Sequence, residues 1–215
     1  MAYRVRLAFC NLAVVAMATT TQAGAEPITI VALGDSLTAG YGLGVEQGLV
    51  PQLQAWLATQ GSDARVVNAG VSGDTSAGGL ARLGWSLTPD VDALIVELGA
   101  NDMLRGVDPA VTRANLDAIL TQADAAGLPV LLVAVHALGN YGEEYRAAFD
   151  AIFPDLAKAH DTLLMPDFFA PLRGGDGLAG RYIQLDGLHP NEKGVDLVIG
   201  ALGPQVLELV GRVGG

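Results

Sequence analysis

Ile28–Thr29–Ile30–Val31–Ala32–Leu33–Gly34–Asp35–Ser36–Leu37 is an apolar, β-branched run that stops at Gly–Asp with a serine just beyond the stop. Such a run reads as a buried strand that delivers a hydroxyl to the edge of a sheet. Further short apolar runs follow at Arg65–Asn68, Ala93–Leu98, Val130–Val135 and Thr162–Met165. Between them, Val45–Gln60, Ser76–Leu87, Pro109–Ala126 and Glu143–His160 have helical spacing, and Glu192–Val210 closes the chain. This alternation predicts a parallel sheet with helices on both faces. No repeat, low-complexity tract or linker interrupts it, and residues 26–215 are expected to form one domain.

Residues 1–25 stand apart. Arg4 and Arg6 precede a mostly apolar run from Leu7 to Ala18, and Ala23–Gly24–Ala25 supplies small residues before Glu26. This is the pattern of a cleaved secretory signal, and the apolar run is short for a bilayer span. The expected location is therefore periplasmic or secreted, with no stable membrane insertion once the signal is removed. The one cysteine, Cys10, falls inside this segment, so the mature chain would hold no disulfide and no cysteine metal site. Losing Arg4 and Arg6 takes the formal charge from −11 to −13, which disfavours nucleic acid and anionic lipid headgroups as partners.

Ligands of parallel sheets sit at the carboxyl ends of the strands, and the unusual polar residues of this chain gather there. Strand one is followed by Asp35 and Ser36, strand two by Val71–Ser72–Gly73–Asp74–Thr75, strand three by Gly99–Ala100–Asn101–Asp102, and strand four by His136. A serine needs a base to become a nucleophile. Of the three histidines, His160 falls at a predicted helix end, and His136 has no acid within a few residues and suits a pocket wall. His189 has Asp186 three residues before it and Pro190 stiffening the backbone after it. Asp186 can accept the proton of one ring nitrogen and leave the other facing Ser36. The Ser36 N–H, Gly73 and the Asn101 amide are candidate donors to an oxyanion. The plainer alternatives are a turn glycine for Gly73 and a helix cap for Asn101.

Taken together, Gly34–Asp35–Ser36–Leu37, Gly73, Gly99–Ala100–Asn101–Asp102 and Asp186–Gly187–Leu188–His189–Pro190 resemble the blocks of the GDSL, or SGNH, hydrolases. Ser72–Gly73–Asp74–Thr75, Gly79–Leu80–Ala81–Arg82–Leu83, Val96–Glu97–Leu98–Gly99 and Asn140–Tyr141–Gly142 extend the likeness to the secreted bacterial thioesterase I/lysophospholipase/arylesterase subgroup. The resemblance spans nearly the whole mature chain. It implies a three-layer αβα sandwich around a flavodoxin-like, five-stranded parallel sheet. It also implies a two-step acyl-enzyme mechanism without metal or cofactor, in which Ser36 is the nucleophile, His189 the acid/base and Asp186 its orienter. Gly73 and Asn101 would complete the oxyanion hole with the Ser36 N–H. The segment Met103–Leu104–Arg105–Gly106–Val107–Asp108–Pro109 would wall the acyl groove, so Met103 and Leu104 are expected at the substrate with Asp35.

Val135–His136–Ala137–Leu138–Gly139 departs from the subgroup pattern, and His136, Ala137 and Leu138 are taken as substrate-binding positions that set a different preference. The Gly-rich stretch Leu172–Arg173–Gly174–Gly175–Asp176–Gly177 reads as a surface turn. A nucleotide-binding module is disfavoured, because Gly40–Tyr41–Gly42–Leu43–Gly44 lacks both G-x-G-x-x-G and a P-loop lysine. The expected activity is hydrolysis of small-molecule or lipid acyl esters and thioesters by a monomer. A carbohydrate acetyl esterase and a catalytically silent lipid carrier on the same fold stand as the alternatives; aromatic residues, at 6%, offer little for stacking sugars.

Overall fold

The computed structural model describes residues 26–174 and 177–214. The expected signal segment and Cys10 lie outside the described residues, as do Gly175 and Asp176. Five parallel strands form the central sheet: β1 (Thr29–Gly34), β2 (Arg65–Gly70), β3 (Ala93–Glu97), β4 (Val130–Val133) and β5 (Leu163–Met165), in the order β2-β1-β3-β4-β5. Every residue of β1, β3 and β4 is buried, because helices cover both faces of the sheet centre. The edge strand β2 is only partly buried.

The order is that of a doubly wound sheet whose direction of growth reverses between β1 and β3, and ligand crevices open at that reversal. Register puts both crevice strands to use. Gly34 pairs with Gly70 on one side and with Glu97 on the other, so β1, β2 and β3 end level. A Cβ on Gly34 would collide with the Thr38 side chain, and one on Gly70 with the Ala39 backbone. Both glycines let α1 (Ser36–Ala39) sit directly on the strand ends.

The remaining helices are α2 (Leu49–Thr59), α3 (Ser76–Ser86), α4 (Ala100–Leu104), α5 (Pro109–Ala125), α6 (Glu143–Asp150), α7 (Ile152–Ala159) and α8 (Glu192–Arg212). Helix α8 packs on α2, and α5 packs on α3 and α7, giving three layers. By length and composition α8 could cross a membrane. Here Val195, Val198, Ile199, Leu202, Val206 and Leu209 are instead buried in the core.

Two predicted helices are each broken in two. Val45–Gln60 is a 3-10 turn (Val45–Gln47) and then α2, separated at Gly48, which is extended at ψ 172°. Pro51 is tolerated because it lies in the first turn of α2, where its missing N–H is no loss. Glu143–His160 is interrupted at Ala151. Pro154 cannot donate to the carbonyl four residues back, so the ladder restarts one turn ahead of it.

Candidate active site

Gly34 ends β1, and the Asp35 carboxylate caps α1 by accepting from the Leu37 N–H at 3.0 Å. Ser36 is thus the first residue of a helix standing on the sheet edge. At the other end of the chain, Asp186 Oδ1 accepts from the N–H groups of Leu188 (2.9 Å) and His189 (3.1 Å). Its Oδ2 lies 2.6 Å from His189 Nδ1, and His189 Nε2 lies 2.8 Å from Ser36 Oγ. The Leu188 N–H, against the opposing effect of burial and with the help of the His189 hydrogen bonds, holds the Asp186 carboxyl at about 2. An ionised Asp186 requires the proton on Nδ1, which leaves Nε2 to accept from the serine.

The loop bearing His189 is fixed by Gln184. Its N–H donates to the His189 carbonyl (2.8 Å), and its amide donates to the carbonyls of Tyr41 (2.8 Å) and Pro190 (2.9 Å). The Tyr41 ring packs 4.7 Å from the imidazole. Nothing in the local sequence marks Gln184 for this task, since the tie to Tyr41 reaches a turn 143 residues away. Arg82 ties the strand ends together in the same way, donating to the carbonyls of Ala69 (2.7 Å) and Gly34 (2.9 Å) and pairing with Asp74 at 2.7 Å.

Ser36, Gly73, Asn101 and His189 border one cavity of about 490 Å³. Gly73 has φ +84°, where a side chain is strained, and its carbonyl accepts from Arg105 at 2.7 Å. Among the described residues, the Ser36 and Gly73 N–H groups have no acceptor. Asn101 lies inside α4 and does not cap it; Gly99 precedes the helix. Its Nδ2 donates one proton to Asp35 Oδ2 at 2.9 Å and carries a second. Asp102, buried beside it, accepts from the Ser76 N–H (2.8 Å) and the Thr112 hydroxyl (3.2 Å), which locks α4 to α3 and α5.

Asp35, Met103, Leu104, His136 and Leu138 line the cavity, and Ala137 does not. Asp35 is fully buried at the cavity floor, with its oxygens turned to Leu37 and Asn101. Ala137 is buried outside the lining, and its N–H donates to Asp150 Oδ1 at 2.8 Å. The Gly-rich stretch also differs from a plain surface turn. It contributes β6 (Arg173–Gly174), paired antiparallel with β7 (Gly177–Leu178), and Arg173, Gly177 and Leu178 wall the cavity. Phe169, Tyr41 and Leu188 complete the apolar wall and were not anticipated.

The other histidines are engaged elsewhere. His136 has Nδ1 3.3 Å from Asp150 and Nε2 3.1 Å from the Pro166 carbonyl. His160 is held between Asp124 and Asp117. Among the described residues, no three His, Cys, Asp or Glu side chains converge as a metal site requires.

The family model for the GDSL-like lipase/acylhydrolase family matches residues 32–197. The chain belongs to that family. It is therefore an acylhydrolase, with a fold shared by solved members. Esterase TesA of Pseudomonas aeruginosa is 45% identical over 172 residues, covering 80% of this chain and 83% of the relative. Thioesterase 1/protease 1/lysophospholipase L1 of Escherichia coli is 39% identical over 184 residues, covering 85% of each. The crystal structure of the psychrotrophic esterase EstA from a Pseudoalteromonas species, inhibited by monoethylphosphonate, superposes with a TM-score of 0.78 at 33% identity. It covers 85% of this chain and 98% of EstA.

Proposed function

We propose that this acylhydrolase cleaves carboxylic esters and thioesters through an acyl-enzyme on Ser36. His189 Nε2 takes the hydroxyl proton as Ser36 Oγ attacks the acyl carbon. The developing oxyanion receives the N–H groups of Ser36 and Gly73 and the second amide proton of Asn101. On collapse, His189 returns its proton to the departing alkoxide or thiolate, and a water repeats the sequence to release the acid. Asp186 stays ionised throughout and stabilises the imidazolium between the two transfers.

The observation that carries this reading is the 2.6 Å and 2.8 Å relay from Asp186 through His189 to Ser36, at the edge of the 490 Å³ cavity. A silent carrier has no use for such a relay. The inhibition of EstA by a phosphonate also supports it, since tetrahedral phosphorus mimics the intermediate of acyl transfer. Walls of Met103, Leu104, Leu138, Phe169 and Leu178 suit an aliphatic or aryl acyl group better than an acetylated sugar. The names of the relatives, esterase, thioesterase and lysophospholipase, point to the same substrates. The reading includes residues 1–25 as a cleaved export signal and residues 26–215 as one domain acting as a monomer in the periplasm or outside the cell.

The test uses the mature chain with p-nitrophenyl acetate, butyrate, octanoate and palmitate. Ser36→Ala is expected to lower kcat by about 10⁴-fold or more. Turnover within a hundredfold of the parent would remove Ser36 as nucleophile, and an inactive parent would leave the carrier reading.

A further inference from the structure

Glu97 is a buried acid that the proposed mechanism does not use. The sheet register sets it beside Gly34, directly beneath the turn that carries Ser36. It is 1% exposed. Its Oε2 accepts from the Thr38 hydroxyl at 2.9 Å and more weakly from the Asp35 N–H at 3.4 Å. Its Oε1 is buried and receives no donor among the described residues. The neighbouring Asp35 carboxylate is better supplied, with the Leu37 N–H on one oxygen and the Asn101 amide on the other.

Two carboxyls in one dry pocket do not both ionise. The donors decide which one keeps the proton. Burial raises the Asp35 carboxyl as well, against the pull of its two donors, the Leu37 N–H and the Asn101 amide, on its charged form. Glu97 has an oxygen that no donor reaches among the described residues. An acceptor-only carboxylate would leave that oxygen unsatisfied. As a hydroxyl it becomes a donor, and it already lies against Asp35, whose backbone N–H reaches its Oε2 at 3.4 Å.

We propose that Glu97 is a positioning residue of the acyl-transfer site: it stays a carboxylic acid, donates its proton to the Asp35 carboxylate, and through Asp35 aims the Asn101 amide at the oxyanion. Burial and the adjacent Asp35 carboxyl both push Glu97 well above the usual carboxylate range, in agreement with this arrangement. The chain of contacts runs from β3 to the end of β1 and on to α4. One neutral acid on β3 thereby couples α1, which carries Ser36, to α4, which carries Asn101. The proposal rests on the acyl-enzyme reading, so Ser36→Ala runs beside it as the separate test of that reading.

Glu97→Gln keeps a neutral side chain with one acceptor and one donor, and its kcat is expected within about threefold of the parent. Glu97→Leu keeps the volume but loses the donor, and kcat is expected to fall about tenfold to a hundredfold, as a misaimed catalytic group does, with KM within twofold. Adding Asn101→Ala to Glu97→Leu is expected to cost much less than Asn101→Ala costs alone, because the two act in series. A loss in Glu97→Gln as large as in Glu97→Leu, or independent multiplication of the Glu97→Leu and Asn101→Ala losses, would overturn the proposal. Infrared spectroscopy at neutral pH provides a reading that does not depend on Glu97→Leu folding. A carboxylic-acid C=O band is expected in the parent and absent from Glu97→Gln; its absence from the parent overturns the proposal outright.

Discussion

Asn101 donates one amide proton to Asp35 and has the other free for the cavity, so its side chain is oriented before substrate arrives. A donor fixed in advance costs no reorganisation when charge develops, which is why such groups act on kcat. Asn101→Ala is expected to lower kcat for p-nitrophenyl butyrate by about 10²–10³, or about 3–4 kcal/mol, with little change in KM. A loss under threefold, read from steady-state kinetics, would return Asn101 to a structural part. The residues that meet at the cavity were legible because each lies in a short local block: Ser36 at a strand stop, and Asp186 three residues before His189. Ala137 was misread because facing the cavity or the core depends on a partner on another element, here Asp150. Gln184 was missed for the same reason, since its work depends on Tyr41, 143 residues away.

Elements were legible wherever one period dominated. The three fully buried strands announced themselves as apolar runs, and α3 and α5 ended within a residue of their predicted limits. The failures came where hydrophobic spacing continued across a backbone break. Gly48 and Pro154 interrupt the hydrogen-bond ladder without interrupting the apolar stripe, so periodicity alone joined what the backbone divides. The β6–β7 hairpin was misjudged because glycine content says that a chain turns, and nothing about what it turns against. Leu178 in β7 lines the cavity, and under the proposed acyl-enzyme reading it gives the acyl chain apolar contact. Leu178→Ala is expected to lower kcat/KM for the octanoate ester by about three- to tenfold, the loss of one to two buried carbons' worth of contact at roughly 0.8 kcal/mol each, since Leu178 is partly exposed. The acetate ester, too short to need that wall, is expected to change by less than twofold. Equal losses on both esters would place the hairpin's effect on the reacting centre and not on the groove.

At the scale of the whole molecule, the strand–helix alternation specified a covered parallel sheet. The reversal between β1 and β3, which alternation alone does not fix, came with the flavodoxin-like resemblance and is seen in the pairing. That reversal brings residues 36, 73, 101 and 189 around one cavity. Away from it, His160 closes the far side of the fold by joining the end of α7 to α5 through Asp124 and Asp117. Burial alone would lower this imidazole, but the two hydrogen-bonded carboxylates outweigh it and raise its pKa above 6.5. A group whose pKa rises on folding contributes stability that is full below its unfolded value and lost as pH climbs through the folded one. Asp186 has the opposite sign: its contribution is present above 3.8 and lost as pH falls toward about 2. The stability due to His160 must therefore fade on the alkaline side, while that due to Asp186 persists there. Repulsion within a chain of formal charge −11 also changes with pH, in parent and variant alike, so only the difference between them isolates the histidine. The melting-temperature gap between the parent and His160→Gln is expected to be widest near pH 6 and to narrow steadily toward pH 9. A gap that stays constant across that range would mean that His160 holds α5 and α7 by packing and neutral hydrogen bonds, and that its charge adds nothing to the fold.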